Sequence, residues 1–482
     1  MNYEAVIGME VHAQILTASK MFCGCSAAYA SAAPNTHVCP VCLAMPGVLP
    51  VINERAVEAT VSTGLALGCE IPPLAKFDRK NYPYPDLPKG YQISEYDLPL
   101  CVRGRLEIET GAGGEVVRIR RVHLEEDTAK LMHLGDSSLI DYNRAGVPLM
   151  EIVTEADLHT AEAASAYVSK LRTILRYLGV NSGNMEDGAM RCEANISLRP
   201  VGSSAFGTKV EVKNLNSFRS VRLAIAYEIE RQTSILREGG RVEQVTMGWD
   251  EARGCTVFQR SKEGAEDYRY FPEPDLPPMA PAAEWVERLR AGLPELPEAK
   301  ASRFGTQYGL RAEDARLLTE ERAVADYYEA TVAATGGICE PRGVANWVLG
   351  EVFRLLREHN CEITACRVQP AQLAGLLSLV QKSVINATVG KEVLGEMCAS
   401  GETAEAVVAR KGLTQISDGD QLAQVVVRVL ANNPKPVQQY LEGKETVLGF
   451  LMGQVMRETR GQANAGVVGP LIKQQLEKLR PR

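Results

Sequence analysis

The hydrophobic period of this 482-residue chain changes near residue 290. Before that point, apolar and polar residues alternate in many short runs separated by Pro- and Gly-rich stretches, a pattern typical of half-buried strands. Three segments inside this region, 53–67, 161–178 and 220–237, follow the helical period instead. From about residue 298 the apolar residues recur with a period of about 3.6, and almost no strand pattern remains. The change predicts an α+β fold, with a mixed strand and helix region followed by helices.

A chain of this length is expected to bury several hydrophobic cores rather than one. Pro-rich stretches at 271–281 and 293–297 mark one boundary, and a polar segment that follows residue 411 marks another. We therefore predict three domains, at residues 1–292, 293–405 and 406–482. A hydrophobic content of 45% and a charged content of 23% are typical of an ordinary globular protein.

The charge of the chain is unevenly distributed. Residues 406–482 carry eleven basic and six acidic side chains, a net charge of +5. Because the whole chain has a net charge of −7, residues 1–405 have a net charge of −12. A basic module on an acidic body suggests that one end of the chain holds a polyanion. An ordinary charged helical surface is the alternative, because +5 over this length is modest.

An acid and an imidazole stand two residues apart in the first alternating run of the chain. Met9, Val11 and Ala13 are expected on one face of this strand, and Glu10 and His12 on the other. A carboxylate and a neutral imidazole on one strand face can share a cation. A solvated sheet face could carry the same two residues without a metal.

Two later segments supply further carboxylates. Glu125 and Glu126 belong to an acidic triplet after an alternating stretch, although a charged turn would read the same way. Glu151 lies inside an otherwise apolar strand pattern, where a charge needs a cation or a hydrogen-bonded partner to offset its desolvation. With Glu10 and His12 they form an oxygen-rich set with one nitrogen, which suits Mg²⁺ or Mn²⁺. The sequence predicts a Mg²⁺–nucleotide site, with Glu125 or Glu126 as a ligand.

Four cysteines near the N-terminus form two short knuckles. Cys23 and Cys25 are separated by one residue, and Cys39 and Cys42 have the Cys-x₂-Cys spacing of zinc sites. The first residues form no signal peptide, and no run of about 18 apolar residues could span a membrane. We therefore expect a cytoplasmic chain whose thiols stay reduced. The quartet is predicted to hold structural Zn²⁺, and four unligated thiols are the alternative.

A series of residue blocks along nearly the whole chain matches a known family. The blocks are Gly8-Met9-Glu10-Val11-His12, His123-Leu124-Glu125-Glu126-Asp127, and residues 76–82, 89–94, 141–149, 191–199, 212–218, 267–275, 449–454 and 460–464. On these blocks the chain resembles the B subunit of the bacterial tRNA-dependent amidotransferase, the three-subunit GatCAB enzyme. The resemblance implies an N-terminal cradle domain, a central helical domain and a small helical YqeY-like tail.

The resemblance also implies a reaction. A glutamine-hydrolysing aminoacyl-tRNA amidotransferase, a carbon–nitrogen ligase, converts Glu-tRNA(Gln) to Gln-tRNA(Gln). The sequence does not decide whether Asp-tRNA(Asn) is converted as well. ATP phosphorylates the side-chain carboxylate of the esterified amino acid, and ammonia then displaces phosphate. An amidase (A) subunit supplies ammonia through a channel, and a small C subunit completes the heterotrimer. No membrane partner is expected.

The resemblance carries over to individual residues. Glu10, His12, Glu125 and Glu151 match the metal-site blocks and are expected to be catalytic Mg²⁺ ligands. Arg79, Lys80 and Arg191 are weaker candidates for phosphate or carboxylate binding at the ATP site, and a surface cation is the alternative for each. Glu193, on the same strand as Arg191, is a further candidate residue of the cofactor site. The chain has neither a Gly-x₄-Gly-Lys-Ser/Thr loop nor a protein-kinase signature, so the ATP site must be of another type.

Two other functions stay open at the level of sequence. One is a zinc-stabilised tRNA-binding subunit without catalysis, which would not explain Glu151 within an apolar strand. The other is a stand-alone ATP-dependent amide ligase for a small acid. In the basic tail, Arg457 and Arg460 are the first candidates for tRNA contacts.

Overall fold

The computed structural model describes residues 2–111, 113–261, 268–415, 419–459 and 462–479. The chain divides into two compact units, Met1–Leu296 and Pro297–Arg482. Arg460 lies outside the described residues. The first unit combines a large sheet with helices and the second is helical, which confirms the α+β prediction. The three predicted domain ranges stay a prediction.

Strands and helices of the first unit follow the sequence in a mixed order. The strands are β1 (Tyr3–Gln14), β2 (Asp78–Asn81), β3 (Tyr91–Ser94), β4 (Cys101–Thr110), β5 (Gly113–Glu126), β6 (Lys130–Leu134), β7 (Ser137–Asp141), β8 (Pro148–Thr154), β9 (Met190–Pro200), β10 (Val210–Leu215), β11 (Val245–Asp250), β12 (Cys255–Ser261) and β13 (Phe271–Pro272). The helices are α1 (Glu54–Ala66), α2 (Ala161–Tyr177), α3 (Phe218–Arg237) and α4 (Ala283–Ala291).

One large sheet organises the first unit. Among the described residues it has eleven strands, in the order β12-β11-β10-β9-β1-β8-β5-β3-β2-β13, with β4 paired to β5. The β10–β11 pair is parallel and the other strand pairs of this sheet are antiparallel. β1 therefore lies near the middle, between β8 and β9, and its polar side chains have neighbours on both sides.

The two faces of β1 differ as the alternation predicts. Met9, Val11 and Ala13 are fully buried in the main hydrophobic cluster, whereas Glu10 and His12 are half-buried on the other face. Buried residues of α1, α2 and α3 join the same cluster, so these helices cover the apolar face. Their N-termini are capped by side chains of the residues just before them, which satisfies backbone N–H groups left free by the first turn. The polar face is left for the candidate site.

The second unit is built from short helices. They are α5 (Pro297–Tyr308), α6 (Ala312–Thr319), α7 (Arg322–Ala334), α8 (Pro341–Trp347), a π-helical turn (Val348–Val352), α9 (Phe353–Glu358), a 3₁₀ turn (Ile363–Ala365), α10 (Pro370–Gln381), α11 (Ala387–Ser400), α12 (Ala404–Lys411), α13 (Gly419–Asn432), α14 (Pro434–Leu441), α15 (Val447–Glu458) and α16 (Ala465–Lys478).

Buried residues of the second unit form two separate hydrophobic clusters. One runs from Phe304 to Val408, and the other from Leu422 to Leu476. None of the helices in the described parts of the chain combines the length and the apolar character that crossing a bilayer requires.

Candidate active site and metal centres

The polar face of the central strands lines a cavity of about 690 Å³. Side chains of β1, β5, β8, β9 and β10 meet there because these strands are neighbours in the sheet. His12 is paired in register with Glu151 of β8 on one side and with Arg191 of β9 on the other. Residues directly opposite each other on an antiparallel pair lie close enough to interact.

His12, Glu125 and Glu151 form the tightest group in this cavity. His12 Nε2 lies 3.6 Å from Glu125 Oε1 and 3.7 Å from Glu151 Oε2. One ligand atom from each residue lies within 4.8 Å of the others. Two carboxylate oxygens and one imidazole nitrogen, with space for water or phosphate oxygens, suit Mg²⁺ or Mn²⁺. The donor set therefore fits the expected cation.

His123 holds the Glu151 carboxylate from behind. It is buried, its Nε2 lies 3.2 Å from Glu151 Oε2, and its Nδ1 accepts a hydrogen bond of 3.3 Å from Arg121 Nε. An accepting Nδ1 assigns the proton to Nε2, which donates to the carboxylate. Although burial raises the pKa of Glu151, His123 and His12 hold it well below its usual range. Glu151 is thus kept ionised and oriented, as a metal ligand must be.

Glu10 belongs to a second, neighbouring group. Its carboxylate clusters with those of Glu193 and Glu211, each offering an oxygen within 4.8 Å of the others. Asn195 donates to Glu10 Oε1 at 2.9 Å, and Lys213 Nζ lies 2.9 Å from Glu193 Oε2. Burial, followed by the charges of Glu151 and Glu193, raises the pKa of Glu10. The four predicted Mg²⁺ ligands are therefore divided between two adjoining carboxylate groups.

Side chains expected at the ATP site differ in where they point. Lys80 and Arg191 line the cavity, and Arg191 is paired at 2.9 Å with the buried Asp127. Arg79 does not line it: its guanidinium makes two hydrogen bonds, of 2.7 and 2.9 Å, to the buried Glu273. Neighbouring strand residues point to opposite faces, so Lys80 and Arg79 could not both enter the cavity.

The same alternation separates Glu125 from Glu126. Glu126 is directed away from His12, where Oε1 accepts the backbone N–H of Ile93 at 3.0 Å and lies 2.6 Å from Lys89 Nζ. The structure thus places Glu125, not Glu126, beside His12.

The four N-terminal cysteines come together as a separate cluster. Cys42 Sγ lies 4.0 Å from Cys25 Sγ and 3.9 Å from Cys39 Sγ, and Cys23 completes the group. A tetrahedral Zn²⁺ with bonds of about 2.3 Å places its sulfurs roughly 3.8 Å apart, so the cluster has the dimensions of a metal site such as zinc. A hydrogen bond from Cys23, together with the nearby ammonium of the buried Lys20, lowers the pKa of Cys42 to about 4.

Comparison with known families covers most of both units. Residues 5–287 match the family described as "GatB/GatE catalytic domain", and residues 326–476 match the YqeY-type "GatB domain". The chain belongs to the GatB family. Every site residue above lies within the first match, so the cavity and the four-cysteine cluster are parts of the GatB catalytic domain.

Three curated relatives of this GatB-family chain carry the same name, that of the B subunit of an aspartyl/glutamyl-tRNA(Asn/Gln) amidotransferase. The protein from Thermomicrobium roseum is 58% identical over 482 residues, covering 99% of both chains. The protein from Moorella thermoacetica is 54% identical over 480 residues, covering 99% of this chain and all of its own. That from Dehalococcoides mccartyi strain CBDB1 is 53% identical over 489 residues, again with 99% of both chains. The name describes those proteins as one subunit of a larger enzyme.

Sequence reasoning missed several residues of the GatB-family cavity. His123, Glu211 and Lys213 line it together with the expected residues. His123 could have been found from the alternation, since it stands two residues before Glu125 on the same strand face. Lys213 and Glu211 could not, because their approach depends on the pairing of β10 with β9.

Proposed function

We propose that this chain is the B subunit of a glutamine-hydrolysing aminoacyl-tRNA amidotransferase. It converts Glu-tRNA(Gln) to Gln-tRNA(Gln). Asp-tRNA(Asn) is a second candidate substrate, because the names of the chain's relatives include both aspartyl-tRNA(Asn) and glutamyl-tRNA(Gln). The observation that carries the proposal is the His12–Glu125–Glu151 group lining a large polar cavity in a GatB-family chain. ATP phosphorylates the side-chain carboxylate, and ammonia displaces the phosphate to leave the amide.

His12, Glu125 and Glu151 would hold Mg²⁺ in this reaction, with Glu10 on the adjoining carboxylate group. An ion held there would supply positive charge to offset the charge that develops on a transferring phosphoryl group. His123 keeps Glu151 ionised and in place, so the site needs little reorganisation when the ion binds. Phosphoryl transfer depends mainly on positioning and charge, which agrees with a site that offers ligands rather than a nucleophile.

Basic side chains around the cavity bind the phosphates. Lys80, Arg191 and Lys213 line the cavity together with the carboxylates. The phosphate oxygens of ATP bind to these three cations, while the carboxylates are left to bind the metal ion. Arg191 is fixed by Asp127 and Lys213 by Glu193, which reduces the entropy lost when each binds phosphate. Glu193 thus positions Lys213 at the ATP site, whereas Arg79 stabilises the Glu273 loop.

Two partner subunits and a structural metal complete the enzyme. An amidase (A) subunit hydrolyses glutamine and delivers ammonia, and a small C subunit joins the two in a heterotrimer. The four-cysteine cluster holds Zn²⁺ and stabilises the N-terminal loops without taking part in chemistry, because four thiolates leave no open coordination position. The basic tail binds the tRNA body.

Reconstitution tests this function. The chain is assembled with its A and C partners and supplied with Glu-tRNA(Gln), ATP, Mg²⁺ and glutamine, and Gln-tRNA(Gln) is measured. We expect product formation that needs ATP and all three subunits. Free glutamate in place of the charged tRNA should give no glutamine, which excludes the stand-alone ligase. A complex that binds Glu-tRNA(Gln) but hydrolyses no ATP in its presence would instead support the non-catalytic tRNA-binding subunit.

A further inference from the structure

Four tyrosines form a connected group along the wall of the cavity. The rings of Tyr96 and Tyr270 are stacked, with centroids 4.0 Å apart and planes inclined by 9°. Tyr268 meets Tyr270 edge-on at 6.1 Å, and Tyr82 meets Tyr268 at 5.8 Å. All four line the cavity that contains the carboxylate–imidazole group. We call Tyr82, Tyr96, Tyr268 and Tyr270 the tyrosine array.

The tyrosine array is not part of a hydrophobic core. The buried cluster of the first unit, as far as its residues are described, includes none of the four rings. Tyr96 remains 48% exposed although one of its faces is covered by Tyr270. Large aromatic side chains normally contribute to stability by being buried, and the exposed Tyr96 ring contributes less in this way. An exposed face on a stacked pair can accept a further planar ring.

Two features position the tyrosine array near the His12–Glu125–Glu151 group, which is called the metal group below. The Lys80 ammonium lies 5.0 Å from the Tyr268 ring centroid and 5.6 Å from that of Tyr82, within the range of cation–π attraction. Ser94, two residues before Tyr96, is paired in register with Glu125. Tyr96 therefore follows by two residues the position that lies opposite a predicted metal ligand. A base on the array and phosphates at the metal would lie in one cavity.

We propose that the tyrosine array is the subsite for an adenine base, which stacks on the exposed face of Tyr96. This rests on the proposed function, which brings two adenines to the cavity: that of ATP and that of the 3′-terminal adenosine of tRNA. Stacking on aromatic side chains tolerates different attached groups, because it uses the face of the base. The base and its source are therefore tested separately.

The variants are Tyr96→Ala, which removes the ring, and Tyr96→Trp, which restores an aromatic face. Tyr84→Ala is the matched control, because Tyr84 is 54% exposed but does not line the cavity. Each is assembled into the full complex. The KM for ATP, the KM for Glu-tRNA(Gln) and kcat are measured. Binding of ATP is also measured by equilibrium dialysis, and binding of tRNA with and without its terminal adenosine by filter retention.

Tyr96→Ala should weaken binding of one adenine by about tenfold, in KM and in direct binding, and leave kcat nearly unchanged. Tyr96→Trp should recover most of that loss, and Tyr84→Ala should match the unmodified chain. A loss for ATP assigns the array to the nucleotide. A loss for intact tRNA but not for tRNA lacking the terminal adenosine assigns it to the acceptor end.

The proposal is overturned if neither affinity changes by more than about twofold, or if kcat falls while both affinities hold. A complex that binds ATP but makes no Gln-tRNA(Gln) contradicts the proposed function instead. Dialysis of ATP against such a complex would still decide whether Tyr96 holds the base.

Discussion

The residues of the metal group are brought together by strand register rather than by sequence spacing. His12 faces Glu151 across the β1–β8 pair, and His123 faces Glu151 across the β5–β8 pair. Glu151 therefore receives one imidazole from each neighbouring strand. A carboxylate placed between two imidazoles stays ionised despite its burial, which is the state that a hard cation requires.

Replacement of Glu151 should abolish the chemistry of the first unit. Glu151→Gln removes the negative charge but keeps the shape, and tRNA-dependent ATP hydrolysis and amide formation should fall by at least about a hundredfold. Glutamine hydrolysis should survive in part, because the proposed function assigns its nucleophile to the A subunit. Glu155→Gln, which changes a carboxylate paired with Arg120 at 2.8 Å, is the control. Near-normal amide formation by Glu151→Gln at ordinary Mg²⁺ would remove Glu151 from the site.

Replacement of His123 should weaken the metal site without destroying it. His123→Ala leaves all three candidate ligands in place but frees the Glu151 carboxylate, so the Mg²⁺ concentration needed for half-maximal ATP hydrolysis should rise by roughly tenfold. The rate at saturating Mg²⁺ should approach that of the unmodified complex. An Mg²⁺ titration of both complexes checks this. A lower rate with an unchanged Mg²⁺ requirement would mean that His123 does not act through Glu151.

Glu95 makes stability depend on pH. Its Oε2 accepts the backbone N–H groups of Leu100 and Leu124, both at 3.1 Å, while its buried Oε1 has no hydrogen-bond partner among the described residues. Burial raises the pKa of Glu95 to about 8. The folded chain keeps this proton where the unfolded chain has lost it, so the contribution of Glu95 to stability falls as pH rises from about 4.5 to about 8.

The variant Glu95→Gln mimics the protonated state and should remove this dependence. Relative to the unmodified chain, it should gain about 4 kcal/mol of stability on going from about pH 5 to about pH 9. Thermal unfolding of both chains at the two pH values measures the difference. Equal shifts in melting temperature at both would show that Glu95 is ionised throughout.

At the scale of elements, the hydrophobic pattern of the sequence predicted well where the helices lie along the chain. It predicted only in part which neighbours the side chains of a strand meet. The segments 161–178 and 220–237 correspond to α2 and α3, because an apolar stripe with period 3.6 needs no distant partner to be recognised. Glu10 and His12 do share a face of β1. Residues two positions apart on a strand are nevertheless separated by about 6.6 Å, so Glu10 and His12 have different cross-strand neighbours. Glu10 thus meets Glu193 of β9, and His12 meets Glu151 of β8.

Contacts that depend on strand order were beyond the sequence. The α+β class and the GatB family were predicted and are confirmed, while the ligand roles of individual residues stay predictions. The pairing of β1 with both β8 and β9 joins residues more than a hundred positions apart. The tyrosine array likewise combines residues of the segments after β2, after β3 and before β13. Local periodicity carries no information on such pairings.

The segment between β1 and α1 carries the four-cysteine cluster. Among the described residues it forms no named helix or strand, and a bound ion would add to the stability that its backbone hydrogen bonds, such as Leu43 N–H to the Cys39 carbonyl, already provide. Cys39→Ala should lower the zinc content from about one ion per chain to well below one and make the loop sensitive to protease. Cys255→Ala, outside the cluster, should retain the metal. Full zinc in Cys39→Ala, or none in the unmodified chain, would contradict the assignment.

At the scale of the whole molecule, the chemistry and the excess of positive charge lie in different units. The cavity belongs to Met1–Leu296, whereas the basic residues 406–482 belong to Pro297–Arg482. The last hydrophobic cluster, Leu422 to Leu476, is separate from the one before it. Around it, Lys435, Lys444 and Arg457 are exposed. Exposed cations on a separately packed module can contact phosphates without disturbing the catalytic unit.

Truncation after Gln415 tests whether this module binds tRNA. The cut keeps Leu413, which packs on the preceding cluster, and removes residues 416–482. Affinity for charged tRNA should fall and KM for tRNA should rise, because phosphate contacts supply salt-dependent binding. Each lost contact should reduce the slope of log affinity against log salt by roughly one unit.

Arg457→Ala should remove part of that slope. Lys391→Ala is the control and should leave the slope unchanged, because Lys391 lies outside the module and is paired with Glu351 at 2.6 Å. The metal group should still support Mg²⁺-dependent ATP hydrolysis at saturating tRNA. Matching slopes and affinities for the full-length and truncated complexes would mean that the tail packs on its own unit and does not touch the RNA.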